Sequence, residues 1–308
     1  MRIVFMGTPE YSVPTLSALK SAGHSIEAVF CQPDKPVGRK QIITAPPVKA
    51  YAKDNGIPVY QPNTLNDGTA FSILTEINPD IIVVVAYGKI LPKEILSLPK
   101  YGCINGHASL LPKLRGASPI QWAIVTGERQ TGVTVMQMDE GMDTGDILAV
   151  ENTDITDDDT SESLFDRLSV ITADLISKTI CDIENGRVTP IKQDESKATY
   201  APIIKKEMAH LDFSKTAREL CCLVRGLYSW PVAFCTISGK RIKVYSAREC
   251  KAKCSETGRV IENNGRLVIS CLGDTAIEFI EVQPEGSKRM TVLDMLRGNK
   301  IDIGTVVE

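Results

Sequence analysis

An unbroken apolar run, Ile3 to Met6, opens the chain and ends in the turn-forming residues Gly7-Thr8-Pro9. Residues 10–22 then place Val13, Leu16 and Leu19 on one helical face, and residues 25–30 read as a second strand. Strand, helix, strand in that order predicts a parallel sheet wound by crossover helices. The same patterning gives further strands at 81–86, 102–107 and 132–138, helices at 47–55, 69–77 and 119–126, and one long amphipathic helix at 161–183. In a doubly wound sheet the ligand lies beyond the carboxyl ends of the strands, where Asn105 and His107 fall.

From about residue 206 the pattern changes. A short helix at 216–226 precedes stretches rich in β-branched and aromatic residues at 232–237, 241–246, 258–262, 267–271 and 276–282. Ser238-Gly239, Asn263-Asn264-Gly265 and Gly273-Asp274 supply turns between them. The expected architecture is an α/β, Rossmann-like, doubly wound and mostly parallel sheet over residues 1–189. A linker at 190–205 and a smaller OB-like β-barrel at 206–308 follow.

Composition narrows the classes. The 308 residues are 43% hydrophobic and 24% charged, ordinary for a globular chain. No apolar run approaches the roughly 20 residues of a membrane span, and the start lacks a signal-peptide layout, so a cytoplasmic protein with no membrane contact is expected. The nine cysteines form no paired CxxC set and read as buried thiols rather than metal ligands. The net charge of -3 hides an asymmetry. Up to Lys205 there are 19 Lys+Arg against 25 Asp+Glu, and beyond it 16 against 13, so -6 is followed by +3. The part beyond Lys205 is therefore the better suited to a polyanion.

Two nucleotide-binding classes fall away. Gly7 is a single glycine where the dinucleotide fingerprint needs three, and no P-loop motif occurs. Of the three histidines, His24 in a helix-to-strand turn and His210 near the domain junction read as structural. His107 has different company. In a strand, Asn105 and His107 project from one face as an amide donor and an imidazole, half of an acyl-transfer site. Asp143, in Gly141-Met142-Asp143-Thr144-Gly145-Asp146, is the leading candidate for the missing carboxylate. Two other readings stay open on spacing alone. Asn105-Gly106 is also a two-residue hairpin signal, and Asp139, Glu140, Asp143 and Asp146 also suit a solvated loop, although their spacing does not match a calcium loop.

Asn105-Gly106-His107, Ser109-Leu110-Leu111-Pro112 with Arg115-Gly116, and Asp143-Thr144-Gly145-Asp146 together resemble the 10-formyltetrahydrofolate-dependent formyltransferases. Phe5 to Glu10, Gln32 to Arg39, Val84 to Pro92, Met136 to Asp139, and Arg225-Gly226-Leu227 with Ser229-Trp230-Pro231 are similar to the branch acting on methionyl-tRNA. The resemblance spans nearly the whole chain in order. It departs at Gly106, where the family usually has a β-branched or other apolar residue. A glycine there leaves a core-facing position unfilled, so a larger neighbour is expected behind it.

The resemblance implies that a formyl group passes from 10-formyltetrahydrofolate to the α-amine of initiator methionyl-tRNA. It implies Asn105 as donor to the developing oxyanion, His107 as proton carrier and Asp143 as the carboxylate that holds the ring and favours its charged form. The folate is expected against the backbone of Lys89, Ile90 and Leu91 and the loop carrying Asp139, Glu140 and Met142, closed by Ser109, Leu110, Leu111 and Pro112. Lys35, Arg39 and Lys40, in a Pro/Gly-containing loop after the second strand, suit phosphates of an acceptor stem. No metal and a monomer are expected. The rivals are a formyltransferase on a small amine, a formyltetrahydrofolate hydrolase, and a tRNA-binding protein that keeps the fold without the chemistry.

Overall fold

The opening apolar run is an interior strand of a seven-stranded sheet. A computed structural model describes residues 1–38, 40–253 and 256–308. Its first nine strands are β1 (Arg2–Gly7), β2 (Ser25–Phe30), β3 (Lys35–Val37), β4 (Ile42–Thr44), β5 (Val59–Tyr60), β6 (Ile81–Val85), β7 (Cys103–His107), β8 (Gln130–Gln137) and β9 (Ile147–Asp154). The main sheet runs β5-β2-β1-β6-β7-β8-β9. It is parallel from β5 through β7 and antiparallel across β7, β8 and β9. All five residues of β6 are buried, as a strand covered on both faces must be.

The crossovers are α1 (Val13–Ser21), α2 (Pro47–Asp54), α3 (Thr69–Ile77) and the short α4 (Lys93–Leu96). Residues 10–12 of the expected first helix form a 3-10 turn instead, and Pro14 stands in the first turn of α1. There it costs no hydrogen bond. Strand order reverses between β1 and β6, and three carboxyl ends are tied together at that point. Thr8 Oγ1 and Gln32 Nε2 both donate to Tyr87 O, each at 3.1 Å. The sequence pattern did not yield the hairpin β3–β4, which pairs Lys35 with Thr44 and Val37 with Ile42, nor the edge strand β9.

The chain divides into two units. The first comprises Met1–Pro119, Gln130–Asp154 and Phe165–Pro202; the second takes Ile120–Arg129, Ile155–Leu164 and Ile203–Glu308. Two helices, α5 (Pro119–Val125) and α6 (Ser161–Glu184), thus have residues in both.

In the second unit, α7 (Ala217–Gly226) starts at a capping box in which Thr216 and Glu219 satisfy each other's backbone N–H groups. It buries Ala217, Leu220 and Val224 in a core with Ile242, Val244, Ile269, Ile277 and Phe279. Each large side chain so buried contributes about 1.5–3 kcal/mol. The strands β10 (Phe234–Ile237), β11 (Lys240–Lys251), β12 (Val260–Glu262), β13 (Leu267–Cys271), β14 (Thr275–Pro284) and β15 (Met290–Thr291) form an antiparallel sheet, followed by α8 (Val292–Gly298). Its path is β10-β11-β14-β13-β12, with β15 beside β14. The chain end joins the two sheet edges: Val307 bridges to Ile237 in β10, and Val306 to Arg259 beside β12. That closure makes the barrel and leaves neither edge free for another chain.

Candidate active site

β7 lies where the sheet changes from parallel to antiparallel. Asn105 is in register with Val84 on one side and Met136 on the other, and His107 with Thr134. Asn105-Gly106 is therefore strand, not hairpin, and Cys103, Asn105 and His107 share one face. The opposite face carries Ile104 and Gly106. A Cβ on Gly106 would lie 2.7 Å from Thr172 Cγ2 and 2.8 Å from Ile176 Cδ1. The space missing at residue 106 is thus occupied by two side chains of α6, and Thr172 is fixed further by Tyr11 at 2.7 Å.

The His107 ring is 6% exposed and is oriented by a backbone atom. Its Nε2 is 3.0 Å from Leu114 O. A carbonyl only accepts, so Nε2 carries the proton in this contact. Nδ1 faces Asp143 Oδ2 at 3.6 Å, an ion-pair separation longer than a hydrogen bond. The same Oδ2 accepts from Gly116 N at 2.8 Å. Asp143 itself sits at φ 56°, a left-handed conformation uncommon outside glycine. Among the described residues the Asn105 side chain has no hydrogen-bond partner, which leaves its amide free to donate.

Asp143 is braced from the segment 190–205, which the sequence pattern offered only as linker. Gln193 Nε2 donates to Asp143 O and to Gly145 O, both at 2.8 Å. Gly145 must be glycine, since a Cβ there would meet Gln137 O at 1.7 Å. Arg115, 1% exposed, donates in turn to Gln193 Oε1 through Nε at 3.2 Å and Nη2 at 2.7 Å. It also forks onto Glu195 at 2.8 and 2.7 Å. That fork holds Arg115 above, and Glu195 below, its ordinary pKa. Gln193 and the bracing role of Arg115 carry no signal in the periodicity; in the sequence Arg115 stands only as part of a motif with Gly116.

The loop after β7 is locked by its own polar groups. Ser109 Oγ donates to Lys113 O at 2.6 Å, and Thr134 Oγ1 bridges Ser109 O and Leu111 N. Leu111 is buried, while Leu110 and Pro112 are half-buried. Lys89 spends its ammonium on Pro62 O and Asn63 O, and burial followed by the charge of Lys35 pushes its pKa down. Leu91 is buried, whereas Ile90 and Met142 are apolar and 75% and 57% exposed. Asp139 accepts from Gly141 N and Thr144 Oγ1 within its own loop. Glu140 is 2.7 Å from Lys93, which ties the loop to the start of α4. Burial pushes the Cys103 thiol up to about 12, so this neighbour of Asn105 is no nucleophile near neutral pH.

Lys35 opens β3 and Lys40 lies in the following turn, both exposed; Arg39 is outside the described residues. The hairpin also exposes Val37, Ile42 and Ile43, at 57%, 61% and 71%. Its base is anchored where Lys49 and Gln61 bind Asp34, contacts that lower the Asp34 pKa. Among the described residues no helix is long and apolar enough to cross a membrane, and no cluster of three potential metal ligands occurs.

Residues 1–180 match a family described as formyl transferase, and residues 203–300 match its C-terminal domain. A methionyl-tRNA formyltransferase of Caldanaerobacter subterraneus subsp. tengcongensis is 45% identical, with all of both chains covered. That of Bacillus licheniformis is 48% identical over 98% of this chain and 96% of the relative. An N-formyltransferase from Helicobacter canadensis, solved with folinic acid and dTDP-3-aminofucose, superposes with a TM-score of 0.70 over 91% of this chain and 98% of that one. At 21% identity that likeness speaks for the fold alone.

Proposed function

The chain belongs to the formyl transferase family, and we propose that it carries the formyl group of 10-formyltetrahydrofolate to the α-amine of methionine on initiator tRNA. The observation that carries this reading is the approach of His107 Nδ1 to Asp143, beside an Asn105 amide that has no partner among the described residues. Relatives named for methionyl-tRNA, matched over the full chain at 45–48% identity, support the choice of acceptor. On this reading the protein works in the cytoplasm as a monomer.

The residues present suit a flat folate. Ile90 and Met142 offer exposed apolar surface, and Lys93 and Glu140 hold their two segments close. The folate supplies an activated formyl carbon. Asn105 donates to the formyl oxygen as it gains charge, a contact worth about 3–4 kcal/mol in comparable acyl transfers. His107 Nδ1, whose lone pair lies in the gap before Asp143, takes the proton of the attacking amine and returns one to the departing nitrogen. Asp143 stabilises the imidazolium in between. The new C–N bond forms first, the old one breaks as the departing nitrogen takes its proton, and no covalent link to the protein arises. Lys35, Arg39 and Lys40 meet backbone phosphates of the acceptor, with Val37, Ile42 and Ile43 against less polar parts of it.

The test incubates the purified protein with the folate donor and, separately, methionyl-tRNA, an amino-sugar nucleotide, or no acceptor. Formyl-methionyl-tRNA is the expected product. Formylation of the sugar alone, formate release without an acceptor, or tRNA binding with no turnover would each replace this reading with one of its rivals.

A further inference from the structure

Ser229-Trp230-Pro231 takes no part in the site on β7, and a cavity of about 750 Å³ opens beside it within the second unit. Lys206, Trp230, Phe234, Arg241 and Lys243 line it, with the end of β14 and the turn after it at 283–286 and the carboxylates of Glu207 and Glu285. The indole is 52% exposed. The residues on either side of Trp230-Pro231, Ser229 and Val232, have φ of 67° and 68°. Valine strongly disfavours that region, so the backbone is held off its preference on one side of a displayed aromatic ring. The Arg241 guanidinium lies 3.5 Å over the Phe234 ring and is exposed, so two flat surfaces, an indole and a guanidinium, stand in one cavity.

Some cations of the barrel are spent on carboxylates while others, such as Lys215, Arg218, Lys240 and Lys288, have none within 4.0 Å among the described residues; what is particular here is that three unpaired cations line one cavity. Arg248 and Arg266 share Glu278, and Arg289 is paired with Glu281. Among the described residues Lys206, Arg241 and Lys243 have no carboxylate within 4.0 Å. Cations left unpaired next to stacking planes are what a nucleotide requires: the planes take its base, and the cations its phosphates. The volume is that of a small-ligand site.

We propose that this cavity holds one unstacked nucleotide of the tRNA, with the base against Trp230 and Arg241 and the flanking phosphates on Lys206 and Lys243. The proposal rests on the tRNA reading above and adds to it a second point of attachment on the barrel. A base inside a duplex has no free face to offer, so the site distinguishes tRNA from a plain RNA helix.

Trp122 and Trp230 are the only tryptophans, so Trp122→Phe makes Trp230 the sole indole reporter. Titrating this full-length variant with deacylated initiator tRNA should quench its emission saturably, whereas a blunt RNA duplex should bind without quenching. Arg241→Ala, at an exposed position, should weaken tRNA binding roughly tenfold, within the range for loss of one stacking partner. Tight tRNA binding and normal formylation with unchanged Trp230 emission would overturn this proposal and leave the tRNA reading standing. Quenching by the duplex equal to that by tRNA would also overturn it. Loss of all tRNA binding by the parent protein would overturn both.

Discussion

Asp143 in the first unit and Glu278 in the second are both nearly out of solvent, at 14% and 5% side-chain exposure, yet they are held in opposite ways. Glu278 is gripped by the guanidiniums of Arg266 and Arg248, and its pKa falls to about 2, chiefly through Arg266. Asp143 receives one neutral backbone N–H, from Gly116, and its remaining neighbour of note is an imidazole. Its position is fixed through its carbonyl by Gln193, so the carboxylate is placed without being neutralised. Burial does not separate a structural carboxylate from a chemical one; the kind of partner does. Fixed cations saturate the first, while neutral donors leave the second able to respond to a proton moving nearby.

The widest separation between the two regions is expected from His107→Ala. Single-turnover formyl transfer should fall roughly 10²–10⁴-fold, the usual contribution of a positioned proton carrier, with folate binding measured by calorimetry retained. Asp143→Asn keeps an oxygen for Gly116 N but removes the charge, and should also lose rate severely while changing the pH-rate profile. Near-normal turnover of His107→Ala would exclude the imidazole as proton carrier, and near-normal turnover of Asp143→Asn would show that Asp143 is as structural as Glu278.

The two faces of β7 give the next contrast. Gly106→Val drives a side chain into Thr172 and Ile176, and should lower stability by about 1–3 kcal/mol, as overpacking does. Adding Ile176→Ala should recover part of that loss in chemical denaturation. Additive losses in the double variant would mean that α6 does not fill the space left by the glycine.

Gln193→Glu sharpens the bracing argument. Glutamate still accepts from Arg115 but cannot donate to Asp143 O or Gly145 O. A roughly tenfold fall in kcat, about 1.4 kcal/mol, is expected with little change in melting temperature. An unchanged kcat would mean that the Asp143 loop holds its place without Gln193.

These residues also mark what the sequence made legible. The buried strands β1 and β6, the helical face of Val13, Leu16 and Leu19, and the barrel strands all follow from period and turn chemistry, which are local. Asn105 and His107 could be placed on one face because a strand alternates. The brace could not be read, because Gln193 reaches Asp143 across 50 residues with no period to announce it. Nor could the orientation of His107, because Leu114 contributes a backbone oxygen that any residue would carry. The barrel's closure by Val306 and Val307 is illegible in the sequence for a related reason: two bridging residues are too few to form a strand pattern. Gly106 was the informative exception. An empty position in a buried strand called for a filler, and the filler, Ile176, lies on a helix whose periodic face was itself readable.

The smallest effect is expected at Glu278, in stability alone. Its carboxyl has an ordinary value of 4.5 and a folded value of about 2. A depressed folded pKa means that the unfolded chain binds more protons in between, so stability rises with pH across that window. The contribution is complete above 4.5 and is lost as pH falls toward 2. Glu278→Gln removes the titrating group. Because Arg248 and Arg266 are 64% and 43% exposed, solvent screening keeps the loss at neutral pH to about 1 kcal/mol, below that of a fully buried pair. Urea denaturation at pH 7 and pH 3 should therefore show the gap between parent and variant narrowing in acid, with formyl transfer at neutral pH unaffected. A gap that stays constant between the two pH values would mean that Glu278 is not the charged anchor of the barrel, and the contrast with Asp143 would then rest on the first unit alone.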